Sequence, residues 1–392
     1  MTTTIRAALM VGALLPAAAM AAEPSRPSFE IYGFGMVDYI QDFSRMPTDW
    51  DATLRPSKIP VGSTLSDGQA ILSARQSRLG VRGSVPAGGM DLGGRVEFDF
   101  FGRGTGQPDS AGQNTIRLRR AYGEWGPILG GLTDSLFMDD DYWPNIIDYW
   151  GPAGMVFYRN VQIRFTHLAG VHSFAFALER PGSDLQAYPE SLPDLASDNK
   201  VPDLTARYRL TQRWGYVQLS GILRRLGYEN NGSVNNAHGS VVGWGLNASS
   251  TLRVLPDKLN LLLAVAGGQG VENYWNDATP DVAAGGTLAN PRAEAVPVLG
   301  ISAYADIYWN TLFTSSVGYS TTRIGNTSLQ PGTAFEIGHY ASANLLVHPV
   351  KGFLAGPEFL WGQRKNNDGT SGNDYRLQVS FKYAFSSKDV WK

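Results

Sequence analysis

Cysteine is missing from all 392 residues, so no disulfide framework, thiolate nucleophile or Cys-based metal site can be built. Lysine is scarce, with 8 residues against 25 arginines, and no basic tail or Lys-rich run supplies the footprint of a nucleic-acid binder. Charged residues are only 17% of the chain and hydrophobic ones 43%, with a mean hydropathy of −0.18. That is too polar for a helical membrane protein, and 11% aromatics is too many for disorder. The histidines (His167, His172, His238, His339 and His348) are scattered, and none stands with a Ser or carboxylate at motif spacing. The run GRGTG at Gly102–Gly106 lacks both the G-K-[ST] ending and a following helix, so it reads as an external loop rather than a phosphate cradle. These absences point away from an enzyme and call for no cofactor and no metal.

What the chain has instead is alternation. From Asp374 to Phe385, Tyr375, Leu377, Val379, Phe381, Tyr383 and Phe385 share one parity, opposite Asp374, Arg376, Gln378, Ser380 and Lys382. A β-strand sends successive side chains to opposite faces, so this segment separates an apolar side from a wet one. A soluble β-sandwich is the rival reading, but its strands would not carry this many inward charges. An outer-membrane strand needs only lipid outside and water inside.

The rest of the chain repeats the pattern. Arg6, the apolar stretch Ala7–Leu15, Pro16 and the run AAAMAA predict a secretory signal over residues 1–21, with cleavage after Ala21 or Ala22. A transmembrane anchor would need about 20 apolar residues, and Gly12 and Pro16 interrupt this shorter stretch. Residues 22–392 show no linker and are read as one domain. Sixteen strand candidates follow, among them 71–85, 157–167, 296–307 and 373–385. Short turns alternate with eight longer links at 43–70, 102–113, 135–156, 181–201, 228–239, 268–295, 323–333 and 364–372. Both termini then fall on the short-turn side, the pattern of short periplasmic turns and long external loops. The 45 glycines suit turns and strand kinks. The expected fold is all-β: a sixteen-stranded antiparallel transmembrane β-barrel of porin type with an inward-folded third loop.

Facing decides which residues line the pore. An Arg on the lipid face near the bilayer midplane costs roughly 2–4 kcal/mol, so the Arg-bearing parity is the inner one. That places Arg78, Arg82, Arg95, Arg117, Arg119, Arg164, Arg207, Arg209 and Arg376 in the lumen, with Lys382, beside the pore-lining acids Glu97 and Asp99. A low-dielectric wall lined with cations concentrates anions. The competing reading has Glu97, Asp99, Glu124, Asp203 and the loop acids neutralise these arginines. Three Arg within Arg117–Arg120 cannot all face one way in a regular strand, so Arg120 belongs at a rim, a bulge or a subunit contact. Val296–Ile307 is apolar on both parities, which suits a strand covered by a neighbouring subunit or an inward loop. Trp125, Trp214, Tyr216, Trp309, Trp361 and Tyr383 near strand ends fit interfacial girdles.

The third long link, Ser135–Asn160, is too aromatic for a loop in water. Asp139, Asp140, Asp141, Tyr142, Trp143 and Asp148 mark it as a constriction loop folded into the lumen, opposite the wall arginines. An extracellular lid or subunit contact is the alternative. A Ca²⁺ site at the Asp run lacks EF-hand-like spacing.

Four segments carry a family resemblance: RQSRLGVRG (Arg75–Gly83), RVEFDFFG (Arg95–Gly102), RLRRAYGEWGPILGG (Arg117–Gly131), and SLFMD with PNIIDYWGPAGMVFYRNVQIR within Ser135–Arg164. They resemble the DcaP-like outer-membrane porins, densely over about residues 75–165. The resemblance implies a homotrimer of sixteen-stranded barrels in the outer membrane of a Gram-negative bacterium. It also implies passive diffusion of small anions, notably dicarboxylates, with lipid bilayer and outer-leaflet lipid as further partners. Some relatives carry a coiled coil before the barrel, for which Glu23–Ser28 leaves no room. Many barrels end on an aromatic residue, whereas this chain continues past Phe385 as SSKDVWK, so assembly is expected to use Tyr383 and Phe385. A plugged barrel acting as an adhesin or structural envelope protein is the rival from another class.

Overall fold

The computed structural model describes residues 26–47, 50–63, 67–102, 115–186, 195–230 and 238–390. The expected signal segment, 1–21, and most of GRGTG lie outside them. Sixteen antiparallel strands close a barrel. In chain order these are β1 (Ser28–Asp42), β2 (Arg78–Ala87), β3 (Met90–Gly102), β4 (Thr115–Trp125), β5 (Ile128–Asp134), β6 (Arg159–Ala169), β7 (His172–Glu179) and β8 (Asp203–Gln212). There follow β9 (Gly215–Asn230), β10 (His238–Leu255), β11 (Leu259–Gln269), β12 (Pro297–Tyr308), β13 (Phe313–Ile324), β14 (Phe335–Asn344), β15 (Phe353–Asn366) and β16 (Ser371–Ser386). Short pieces at Gln69–Ser73, Leu195–Ser197 and Leu346–Val347 extend β2, β8 and β14. β1 pairs β16 from Tyr32↔Ser386 to Asp42↔Arg376, which leaves no free edge.

Facing follows the sequence parity. On β16, Phe381 and Tyr383 are more than half exposed, whereas Arg376 and Ser380 are fully covered. The expected strand 71–85 is broken at 74–77, where Gln76 turns inward and donates to Asp38 Oδ2 (3.0 Å) and the Ile147 carbonyl (2.8 Å). Among the strand-end aromatics, Tyr216 departs from expectation: it is inward and buried, its hydroxyl donating to Asp139. Trp125, Trp214, Trp309 and Tyr383 are exposed on the outside.

The largest departure concerns the loops. The third loop (L3, 135–158) folds inward as expected, but the first (L1, 43–68) and sixth (L6, 270–296), read as outer links, fold inward with it. L1 buries Met46, Leu54 and Ile59, and L6 buries Val271, Tyr274, Trp275 and Val282. Two hydrophobic clusters therefore lie inside the barrel, joining loop residues to inner wall residues such as Tyr304, Tyr340 and Leu360. The wall under L3 explains the apolar double parity of 296–307. Gly300 of β12 meets the L3 backbone so closely that a Cβ there would overlap the Gly154 carbonyl oxygen. An inward loop, not a neighbouring subunit, covers the inner face of that strand.

Candidate functional site

L3 crosses the lumen from wall to wall, and each landing point is a set of hydrogen bonds. On β9 and β10, Tyr216 and Ser249 donate to Asp139 Oδ2 at 2.8 and 2.6 Å, Gln218 donates to the Met138 carbonyl at 3.1 Å, and Asn247 to the Phe137 carbonyl at 2.9 Å. On β12 and β13, Tyr142 donates to Ser302 at 2.8 Å and Asn145 to Thr314 at 3.0 Å. On β15 and β16, the Ile147 and Asp148 amides donate to Glu358 at 3.0 and 2.9 Å, and Gln378 donates to the Ile147 carbonyl at 3.0 Å. Tyr340 and the Leu54 and Gly151 amides all donate to the Asp148 carboxylate. Burial pushes the Asp139 and Asp148 carboxyls up from the ordinary aspartate value. Backbone groups of L3 are thus met by fixed wall side chains, as a buried loop requires.

L1 and L6 lock onto L3 through one arginine. The Arg55 guanidinium lies 4.3 Å from the ring centres of both Trp50 and Trp150, and pairs with Asp277 at 3.0 Å. Trp150 and Asn276 exchange two hydrogen bonds at 2.6 Å, each to the other's carbonyl. Arg376 belongs to this assembly rather than to the pore surface. It has the expected inward parity, but it pairs with Asp42 (2.9 Å) and Asp374 (3.3 Å) and donates to the Asp51 and Thr53 carbonyls of L1. Its expected place as an accessible lumen cation is corrected: L1 covers it completely.

The remaining arginines form an arc over β2–β8. Glu97 is contacted by Arg78 (3.8 Å), Arg95 (2.6 Å), Arg119 (3.0 Å) and Arg120 (2.6 Å). Asp99 is contacted by Arg117 (2.7 Å) and Arg119 (2.6 Å), and accepts from the L3 hydroxyl of Tyr149 at 2.7 Å. Asp134 pairs with Arg120 and with Arg159 at 3.1 Å, and its carbonyl accepts from Arg164. Six guanidinium groups thus share three carboxylates. A bulge between Glu97 and Phe98 allows the crowding: Glu97 pairs Arg120 while Phe98 pairs Leu118, so Arg119 and Arg120 both face inward. Of the three places open to Arg120, the structure selects the bulge. Arg119 is itself almost fully buried, whereas Arg78, Arg95 and Arg117 keep about a quarter of their side chains exposed.

The other expected residues fall at the two ends of this arc. Arg82 pairs with Glu30 at 2.8 Å near the turn side and is half exposed. Arg207 and Arg209 on β8 meet the acidic turn of L3, Arg207 at 3.6 Å from Asp140, and Arg209 bridging Asp139 (2.6 Å) and Asp141. A guanidinium therefore occupies the one cluster of three carboxylates among the described residues that could hold a metal ion. Asp140 and Asp141 are accessible, Asp139 is not.

Beside L3 lies a cavity of about 540 Å³, bounded by Arg78, Arg119, Arg120, Lys382 and the largely buried Asp306 on the wall and by Trp143, Tyr149 and residues 144–148, Asp148 among them, on the loop side. Arg78 and Lys382 share the face of Phe34, at 5.2 and 4.3 Å from its ring centre. Asp134, Arg120 and Arg159 were not among the residues expected here. The RLRR run marked Arg120, and Asp134 closes β5 at the edge of L3.

A closed barrel with an apolar belt outside, short turns at the terminal side and loops packed in a charged lumen defines an outer-membrane β-barrel of porin architecture. The chain belongs to the DcaP outer membrane protein family, whose profile matches residues 19–260. Among solved structures, the outer membrane channel DcaP of Acinetobacter baumannii has a TM-score of 0.78 at 21% identity, covering 92% of this chain and 98% of that one. The anion-selective porin from Comamonas acidovorans has a TM-score of 0.60 at 10% identity, covering 92% and 100%. Salmonella typhi OmpF in complex with daunomycin has a TM-score of 0.57 at 11% identity, covering 91% and 97%. At these identities the structural likeness carries the fold alone. No curated protein matches the sequence.

Proposed function

We propose that this chain is a passive outer-membrane diffusion channel favouring small anions such as dicarboxylates, exported by cleavage of residues 1–21 and assembled as a homotrimer. The observation that carries the anion preference is the charge imbalance of the arc, where six arginines share three carboxylates and Lys382 adds a further cation at the cavity. Among the described residues these six arginines stand together on the wall formed by β2, β3, β4 and β6. An anion crossing the cavity meets several guanidinium groups in succession, each already shared with a carboxylate and so able to bind only weakly. Weak, multiple contacts are what passage requires, since a tight site would stall it. Trp143 and Tyr149 narrow the path with aromatic rings, and the two carboxylates at the cavity, Asp148 and Asp306, are almost fully buried. One structurally similar protein is itself described as anion-selective, which agrees with the reading. No reaction is assigned to the site.

The interlocked L1, L3 and L6 favour the rival reading of a plugged barrel. Planar-bilayer recording of the folded, inserted protein separates the two. Discrete conductance steps are expected; insertion without conductance would overturn the channel in favour of the plug.

A further inference from the structure

The outward face of β13–β16 at the long-loop end carries a polar panel that ion passage does not use. Strand pairing sets Arg323, Ile337 and Lys365 in one row across three neighbouring strands. Arg323 is two-thirds exposed, and its contact with Glu336 is long, 3.8 Å. The row beneath consists of Thr321, His339, Gln363 and Asn373. It is held in place by the row below that: the His339 ring stacks on Tyr319 (centres 6.0 Å apart, 25° between planes) and on Trp361 (6.1 Å, 9°). Tyr319 Oη lies 2.5 Å from His339 Nδ1, while Trp361 Nε1 and Gln363 Nε2 both donate to Asn373 Oδ1, at 3.3 and 3.0 Å. Only in the fourth row, at Val317, Phe359 and Leu377, does the outer wall become apolar.

Two other strands carry the apolar wall to their ends. On β7 and β8, Leu178 and Leu204 are outward and exposed, each one residue from its strand's end at this side. A row of His, Gln and Asn side chains on the outer wall is unfavourable at hydrocarbon depth and belongs among headgroups. From Arg323 to Val317 the panel runs about 20 Å along the strand at roughly 3.3 Å per residue, about 15 Å of depth at a strand tilt of about 40°, passing from cations through amides and aromatics to aliphatics. That is the profile of one lipid leaflet read from headgroup to acyl chain.

We propose that this panel is a binding site for the phosphate-bearing headgroup of an outer-leaflet lipid, with Arg323 and Lys365 as the phosphate arms. Two interstrand spacings set the arms about 10 Å apart, so both long side chains reach one phosphate or each holds its own. The His339–Trp361 stack floors the headgroup, and Val317, Phe359 and Leu377 take the upper acyl chain. Glu336 is the acid that competes for Arg323 when the site is empty.

The test is native mass spectrometry of the detergent-solubilised full chain, titrated with diphosphoryl lipid A, with phosphate-free lipid of the same acyl content, and with inorganic phosphate. The wild type should retain diphosphoryl lipid A. Replacing both arms (Arg323→Ala with Lys365→Ala) should weaken its binding about thirtyfold, since each basic side chain near an anionic lipid surface supplies roughly a fivefold share of the affinity. Heat-modifiable gel mobility, which reports the folded barrel, should stay unchanged. Equal binding by wild type and double variant overturns the proposal, as does retention of the phosphate-free lipid to the same extent. Displacement of the lipid by millimolar inorganic phosphate would make the panel a free-anion site and overturns the lipid assignment. Because the chain has no cysteine, Lys365→Cys offers a clean cross-linking control: a disulfide between two copies in native membranes would put a second copy on the panel and overturn it as well.

Discussion

Removing Arg78 and Lys382 together should lower the preference for anions without unfolding the barrel. Both border the cavity beside L3 and both rest on Phe34 rather than being held by short ion pairs. Arg78 stands 3.8 Å from Glu97, a carboxylate that keeps Arg95, Arg119 and Arg120 when Arg78 is gone. A cavity of about 540 Å³ brings a passing ion to roughly 7 Å from each charge, where attraction in water is about 0.6 kcal/mol. Salt at about 0.1 M screens over about 10 Å and cuts this roughly in half. A cation is repelled as much as an anion is attracted, so each charge changes the anion-to-cation ratio by about 0.6 kcal/mol, roughly threefold. The double replacement Arg78→Ala with Lys382→Ala should therefore lower the permeability ratio roughly eightfold, and less so as salt is raised. Reversal potentials of single channels measure this. A ratio unchanged at low salt would refute the assignment of these side chains to the ion path.

Other outcomes separate pore residues from anchors. Gly300→Ala pushes a methyl group into the Gly154 carbonyl, and overpacking of this kind costs about 1–3 kcal/mol. L3 should shift off β12, giving larger or noisier conductance steps; identical steps would show that this contact does not position the loop. Arg376→Met leaves Asp42 and Asp374 buried without their cation, a loss of about 3–5 kcal/mol. The temperature of the heat-induced gel shift should fall while selectivity holds; a selectivity change as large as that of the Arg78/Lys382 pair would return Arg376 to the pore surface. Intact-mass measurement of the exported protein should place its first residue at Ala22 or Glu23, and a retained leader would refute the signal reading.

The barrel was legible because a lipid-facing wall obeys one rule, period-two alternation, and the rule holds in β3, β6, β7 and β16 from sequence alone. The bulge at Arg119 was half legible: crowded arginines signalled an irregularity, but pairing across β3 and β4 was needed to choose among its forms. L3 stood out by its aromatics. L1 and L6 were missed because their apolar residues, such as Met46, Trp50 and Leu54 or Val271, Tyr274 and Trp275, are spread among prolines, glycines and acids with no period. Such residues declare themselves only when Arg55, Trp150 and Asp277 are brought together from three loops. For the same reason parity alone makes Arg376 an open cation: it gives the direction of a side chain, not what folds down over it.

If the arginine arc makes the open pore attract anions, the zero-current potential of the wild-type channel in a KCl gradient will show it. Chloride should carry most of the current, driving the potential toward the chloride equilibrium value. A potential on the potassium side would mean that the arc does not set the selectivity of the pore.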